Sequence, residues 1–308
     1  MRKPVTVAAV VIVLAVIGLG AYQFFSTKDQ PPADPGPIQT PQAEPAQPDW
    51  CPAVEFISAP GTWESSASDD PFNPQANPHS FMLSITQPLQ AEYDINHVRV
   101  WTLPYTAQFK NIQSPNEMSY DDSRNEGTAK LNGELEFINN TCPGTKFILA
   151  GFSQGAVIVG DVATEIGQGN GPVAPDKVLG AIMIADGRRE NGVGVNPGVE
   201  LGGVGAEIAL EPVERLVQPI VPGASMRGAR VGGFGELHDR AYQICSPNDS
   251  VCDAPFDVVN ALGRAEELIA ANGLHAQYAS NSGVIPGTTA NQWVIDWTRH
   301  AVGQLPAM

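Results

Sequence analysis

Lys146-Phe-Ile-Leu-Ala-Gly-Phe-Ser-Gln-Gly155 sets a short apolar run directly against a Gly-x-Ser-x-Gly pentapeptide. Few folds accommodate that juxtaposition. Phe147 to Ala150 has the continuous apolar character of a buried strand, and Ala156 to Ile166 (AVIVGDVATEI) that of a helix leaving it. A serine between the two sits on a strained strand-to-helix turn, where glycine two residues to either side lets neighbouring backbones approach. Gly151 and Gly155 stand at those positions. The helix behind the serine directs unpaired N–H groups and partial positive charge at the place where an oxyanion would form. Ser153 is therefore the candidate nucleophile. The pentapeptide alone recurs by chance in chains of this length, and its place between strand and helix is what gives it weight.

The surrounding pattern supports the same architecture. Val54 to Ser58, His97 to Leu103, Val178 to Ala185 and Arg240 to Ile244 read as further strands. Leu131, Leu135 and Ile138 recur at helical spacing, as do Val258, Leu262, Ala265, Leu268 and Ile269, and Asn291 to Val302 has helical apolar spacing. Apolar strands alternating with helices predict an α/β fold, a mainly parallel sheet covered on both faces in three layers. Two long segments break the alternation: the turn-rich Gly61 to Ser80, and Gly192 to Gly235 with one amphipathic piece, Ile208 to Ile220. Sheets of this kind bind ligands beyond the carboxyl ends of their strands, so either segment could border a site. The second is read first as a surface insertion, with a flap as the alternative.

Residues 1–25 are set apart by an uncharged run from Val5 to Phe25 behind Arg2 and Lys3. That run is long enough to span a bilayer and no clean small-x-small site follows it, so an uncleaved signal anchor is expected. A cleaved export signal is the alternative, and both place the rest of the chain outside the cytoplasm. Residues 26–50, rich in Pro, Ala, Gln and Asp, form an extended spacer. Residues 51–308 are then one large domain. The net charge of −16 disfavours nucleic acid as a partner. Four cysteines suit an oxidising compartment and allow three pairings. Cys245 and Cys252 are close enough for a local loop, leaving Cys51 to Cys142. No histidine lies at metal-site spacing beside the close pair, so metal ligation is the lesser reading.

A serine hydroxyl needs a base to take its proton and a carboxylate to hold that base. With the order Ser, acid, His found in α/β-hydrolases, His79, His97 and His238 are disfavoured, and His275 and His300 remain. His275 follows a glycine past a helix, a loop placement that suits a base, whereas His300 lies late in a helical segment. Asp186 ends the strand after the elbow; Asp249 lies within Cys245-Ser-Pro-Asn-Asp-Ser-Val-Cys252, where a disulfide would fix the turn. His275 and Asp249 are the favoured partners, with His300 and an Asp186 turn held by a salt bridge as the competing readings.

Gly-Phe-Ser-Gln-Gly, the Cys-x-x-x-Asp-x-x-Cys loop and the His-x-x-Tyr that follows resemble the cutinase family of serine esterases, most of all its membrane-tethered members from mycolic-acid-producing actinobacteria. The resemblance spans most of Cys51 to Tyr278. It implies a cutinase-like α/β-hydrolase with Ser153 as nucleophile, Asp249 as acid and His275 as base. It also implies disulfides Cys51–Cys142 and Cys245–Cys252, and an oxyanion hole from the backbone N–H groups of Gln154 and Thr62. Lipase, phospholipase or thioesterase action on lipid or acyl esters in the cell envelope is the implied function, with no cofactor or metal and with a monomer as the simplest assembly. An envelope acyltransferase with the same triad, or a non-catalytic lipid-binding protein, is the alternative.

Overall fold

Five apolar runs pair into a single parallel sheet: β1 (Val54–Ala59), β2 (Val98–Thr102), β3 (Lys146–Phe152), β4 (Val178–Ile184) and β5 (Ala241–Ile244), in the order β2-β1-β3-β4-β5. The computed structural model describes residues 47–255, 263, 266 and 273–305. The chain divides into Met1–Ala46 and Gln47–Met308, and the described residues all belong to the second unit. The expected anchor at 5–25 and residues 26–46 of the expected spacer lie outside the described residues, as does almost all of the helix expected over 258–269. Among the described residues no helix is long and apolar enough to cross a membrane.

The strand order has a functional consequence. The chain steps from β1 outward to β2, then returns to the other side of β1 and runs β3, β4, β5. The direction reverses between β1 and β3, and the crevice beyond the carboxyl ends of two such strands is where open α/β sheets bind ligands. Ala59 lies opposite Gly151 at that end, so the loop after β1 and the turn after β3 meet there.

Three layers result. On one face Ile57, Leu149 and Met183 of the sheet pack with Leu131, Leu135 and Ile138 of α2 (Tyr120–Thr141) and with Ile158 and Val162 of α3 (Gln154–Gly167). On the other, Phe56, Ile148 and Ile182 pack with Ile85 and Leu89 of α1 (Leu83–Glu92). Val294, Ile295 and Val302 of α5 (Ala290–Gly303) complete that side. α1 was not legible as a helix, since it contains Pro88 and has no side-chain cap. It forms because Ile85 and Leu89, one turn apart, are both fully buried against the sheet. α2 starts eleven residues before the apolar stripe that signalled it, at a Ser119 cap whose side chain accepts from the Asp122 N–H, with Asp121 and Asp122 in the first turn.

Disulfides join Cys51 to Cys142 and Cys245 to Cys252. The long segment between β4 and β5 has structure of its own. The short helix α4 (Ala206–Leu210) and the residues after it form a third apolar cluster, Leu210, Val217, Val221, Ala224 and Met226, against Phe109 and Tyr120. Behind it lies an ionic cluster. Asp161 of α3 accepts from Arg188, Arg227 and Arg230 at 2.9, 2.5 and 2.9 Å. Arg230 also pairs with Asp186 at 2.6 Å, and Arg227 with Glu207 at 2.8 Å.

Candidate active site

Ser153 has φ 55° and ψ −119°, a left-handed backbone that a non-glycine residue adopts only where its surroundings impose it. Those surroundings are the two flanking glycines. A Cβ on Gly155 would lie 2.0 Å from the Ala59 carbonyl oxygen of β1, and one on Gly151 would lie 2.3 Å from the Gly155 oxygen. No side chain fits at either place. The turn therefore presents Ser153 above the sheet at the switch point, with α3 starting immediately behind it.

The turn brings three distant residues together. Ser153 Oγ lies 3.0 Å from His275 Nε2, and His275 Nδ1 lies 2.9 and 3.2 Å from the two Asp249 oxygens. Asp249 is fully buried in the loop closed by Cys245–Cys252. Burial raises its carboxyl, but the His275 hydrogen bond and charge, the Val251 N–H (2.9 Å) and the Tyr278 hydroxyl (2.7 Å) outweigh that and hold it below the usual carboxylate range. An ionised Asp249 accepts from Nδ1–H, which leaves Nε2 to accept from the serine hydroxyl. Burial and the adjacent Asp249 charge push the Tyr278 phenol far above its usual range, so it remains a donor to the carboxylate. Its oxygen accepts in turn from the Ser246 N–H at 2.9 Å. The ring of Phe152, one residue before the serine, stacks on the imidazole at 4.9 Å.

The competing residues lie elsewhere. Asp186 is buried in its ion pair with Arg230 and accepts from the Arg188 N–H at 3.0 Å, and His300 is exposed on the last turn of α5.

Around Ser153 opens a cavity of about 420 Å³. Thr62 and Gln154 line it. Gln154 is the first residue of α3, so its amide has no intrahelical acceptor. Its side chain is turned away, accepting from Ser123 Oγ at 3.1 Å and donating to the Gln108 carbonyl at 3.2 Å. Phe81, Phe109, Val157, Ala206, Ala224 and Met226 give the cavity its apolar lining, Val157 from α3 and the last three from the insertion. Both irregular segments thus border the site.

Sequence reasoning did not single out Glu64, which lies in the cavity wall and accepts from the Gly61 N–H (3.0 Å), the Ser80 hydroxyl (3.0 Å) and the Phe81 N–H (2.7 Å). Burial raises this carboxyl above its ordinary value against the opposing pull of those donors. The nearest signal was its place two residues after Thr62.

The sheet with its elbow at the switch point defines an α/β-hydrolase. Residues 50–296 match the family model described as Cutinase. The chain is 61% identical over 307 residues to a carboxylesterase Culp6 homolog of Corynebacterium glutamicum, covering 98% of this chain and 99% of that protein. Among solved structures it shares its fold with a cutinase-like protein from Cryptococcus sp. at a TM-score of 0.50 and 19% identity, over 84% of this chain and 98% of that one. The chain belongs to the cutinase family, and with it to the ester hydrolases. Its two disulfides are consistent with an extracytoplasmic enzyme.

Proposed function

We propose that this protein hydrolyses lipid esters or thioesters in the cell envelope through an acyl-enzyme on Ser153. The observation that carries the reading is the unbroken chain from Ser153 through His275 to Asp249 at the floor of an apolar cavity. In the first half-reaction His275 Nε2 takes the hydroxyl proton as Oγ attacks the carbonyl carbon, and Asp249 stabilises the imidazolium. The amides of Gln154 and Thr62 receive the oxyanion. Collapse breaks the bond to the leaving alcohol or thiol, which leaves with the proton from Nε2. Water then repeats the sequence on the acyl-enzyme, releasing free acid.

The cavity's size falls within the usual range for small-molecule sites, and its apolar lining suits an acyl chain better than a sugar. Tethering through the apolar run at 5–25 would keep the enzyme among such substrates, outside the cytoplasm. The test is intact-mass analysis of the full-length chain after exposure to a fluorophosphonate, beside Ser153→Ala and His275→Ala. One adduct on the parent chain and none on either variant is the expected result. An adduct that persists in Ser153→Ala would remove the reading.

A further inference from the structure

The loop after β1 is a tight turn built around a conflict. Glu64 N–H donates to the Gly61 carbonyl at 3.1 Å, closing a four-residue turn with Thr62 and Trp63 in the middle. Trp63 has φ 62°, a position that turns of this shape ordinarily give to glycine or asparagine. A bulky residue there is strained, so the turn persists only if its neighbours over-determine it.

The neighbours do so in a selective way. Gly61 N–H is taken by the Glu64 carboxylate at 3.0 Å, and Trp63 N–H by the Ala107 carbonyl at 2.6 Å. Trp63 O accepts from the Asn77 amide at 3.1 Å, and its indole N–H is held by Glu117. The Pro60 carbonyl accepts from the Tyr105 hydroxyl at 2.7 Å. Between these satisfied groups, the Thr62 N–H has no acceptor among the described residues, and Thr62 lines the cavity beside Ser153. Glu64 is the residue that bonds the turn both to itself and to its surroundings: one oxygen holds Gly61 and Ser80, the other holds Phe81 at the approach to α1. A Cβ on Gly61 would lie 2.9 Å from the Phe152 ring, so the turn is also pressed against the end of β3.

We infer that Glu64 is a positioning residue for catalysis, whose carboxylate locks the Gly61–Glu64 turn to the Ser80 hydroxyl and the Phe81 N–H and so holds the Thr62 N–H at the oxyanion position. Its carboxylate bonds to Gly61, Ser80 and Phe81 and not to Ser153 or Asp249, so it is assigned no part in the bond making itself. The inference rests on the Ser153 reading and adds to it a named source of oxyanion-hole rigidity. Glutamine is a stringent probe here, because its NH2 group would face an N–H or hydroxyl donor where the carboxylate now accepts.

The experiment compares the full-length parent chain, Glu64→Gln and Ser80→Ala, using p-nitrophenyl butyrate turnover, the rate of fluorophosphonate labelling and the thermal unfolding midpoint. Loss of one oxyanion donor costs roughly 10²–10³ in kcat, so a displaced donor in Glu64→Gln is expected to lower kcat about 10–100-fold. KM should change less than about threefold, and labelling should slow in parallel, since phosphonylation develops charge on the same oxygen. Ser80→Ala, which removes one of three donors, should show the same pattern at a few-fold.

A merely structural Glu64 would lower the unfolding midpoint while the folded fraction keeps its kcat, and that outcome overturns the inference. If Glu64→Gln fails to fold, Ser80→Ala decides, and an unchanged kcat there overturns it equally. A parent chain that neither turns over nor labels would remove the Ser153 reading, and this inference with it.

Discussion

The two walls of the cavity are fastened by opposite means. The wall after β1 is held by Glu64 through three uncharged donors, at 2.7–3.0 Å. The wall formed by the insertion is held at its back by three carboxylates and three guanidinium groups around Asp161, and it presents to the cavity Ala206, Ala224 and Met226. The difference follows from what each wall does. A turn that must keep one N–H aimed at a reacting oxygen needs short, directional bonds close to that N–H. A wall that shapes an apolar space can be anchored by ion pairs set mostly behind it, with only Glu207 of the cluster reaching the cavity, where it accepts from the Tyr120 hydroxyl at 2.7 Å. Chemistry and shape should therefore fail separately.

The sharpest way to separate them starts between the walls. Asp249→Asn keeps the volume but offers His275 Nδ1 an amide in place of a carboxylate, so the imidazole is held in the wrong tautomer or not at all. The kcat should fall by roughly 10³–10⁴ with KM little changed. Steady-state kinetics with a short-chain ester measure this. A loss under tenfold would mean that the buried Asp249 is only a structural partner of Tyr278.

The insertion's anchor should fail in the other way. Asp161 is held down to about 2, since the charges of Arg230, Arg227 and Arg188 outweigh the burial that would raise it. Removing it with Asp161→Ala leaves three guanidinium groups short of a partner and should cost about 3–5 kcal/mol of stability. The kcat of the folded fraction should stay within a few-fold. The sign with pH follows from the depressed carboxyl: its contribution is full above the unfolded value of 3.8 and is lost as pH falls toward about 2. Acid unfolding followed by circular dichroism should therefore begin at higher pH in the variant than in the parent chain. Coincident acid transitions would show that the cluster adds nothing.

These two regions also differ in how far they could be read from sequence. The elbow was legible because its signals are contiguous: strand, two glycines and helix run from Lys146 to Ile166, Gly155 admitting the close approach of Ala59 and Gly151 that of Gly155. His275 and Asp249 were reached by chain order and by the disulfide loop, which again are linear features. Asp186 was open to a salt-bridge reading in its own Gly-Arg-Arg turn, yet its partner is Arg230, 44 residues away, and nothing in the intervening glycine-rich stretch announces the pairing. Glu64 was invisible for the same reason. Its donors Ser80 and Phe81 lie 16 and 17 residues on, across a turn-rich segment without periodicity. The α1 helix was missed because Pro88 and the absent cap argue locally against it, while the burial that decides the matter is tertiary.

The smallest effect tests the shaping wall at its working face. Met226 is almost fully buried within the insertion's apolar cluster and lines the cavity. Met226→Trp adds volume where an acyl chain would lie, at a residue that is itself neither in the triad nor in the Gly61–Glu64 turn. An overfilled pocket rejects a longer chain by the loss of a few methylene contacts, each worth about 0.8 kcal/mol. The expected result is a several-fold fall in kcat/KM for an octanoate or longer p-nitrophenyl ester and little change for the acetate, with the fluorophosphonate labelling rate preserved. Equal losses on both esters would show that the insertion reaches the reacting atoms and that its wall is not separable from the chemistry. A fall confined to the longer ester would place the acyl chain against the insertion and leave Glu64's wall to the oxyanion.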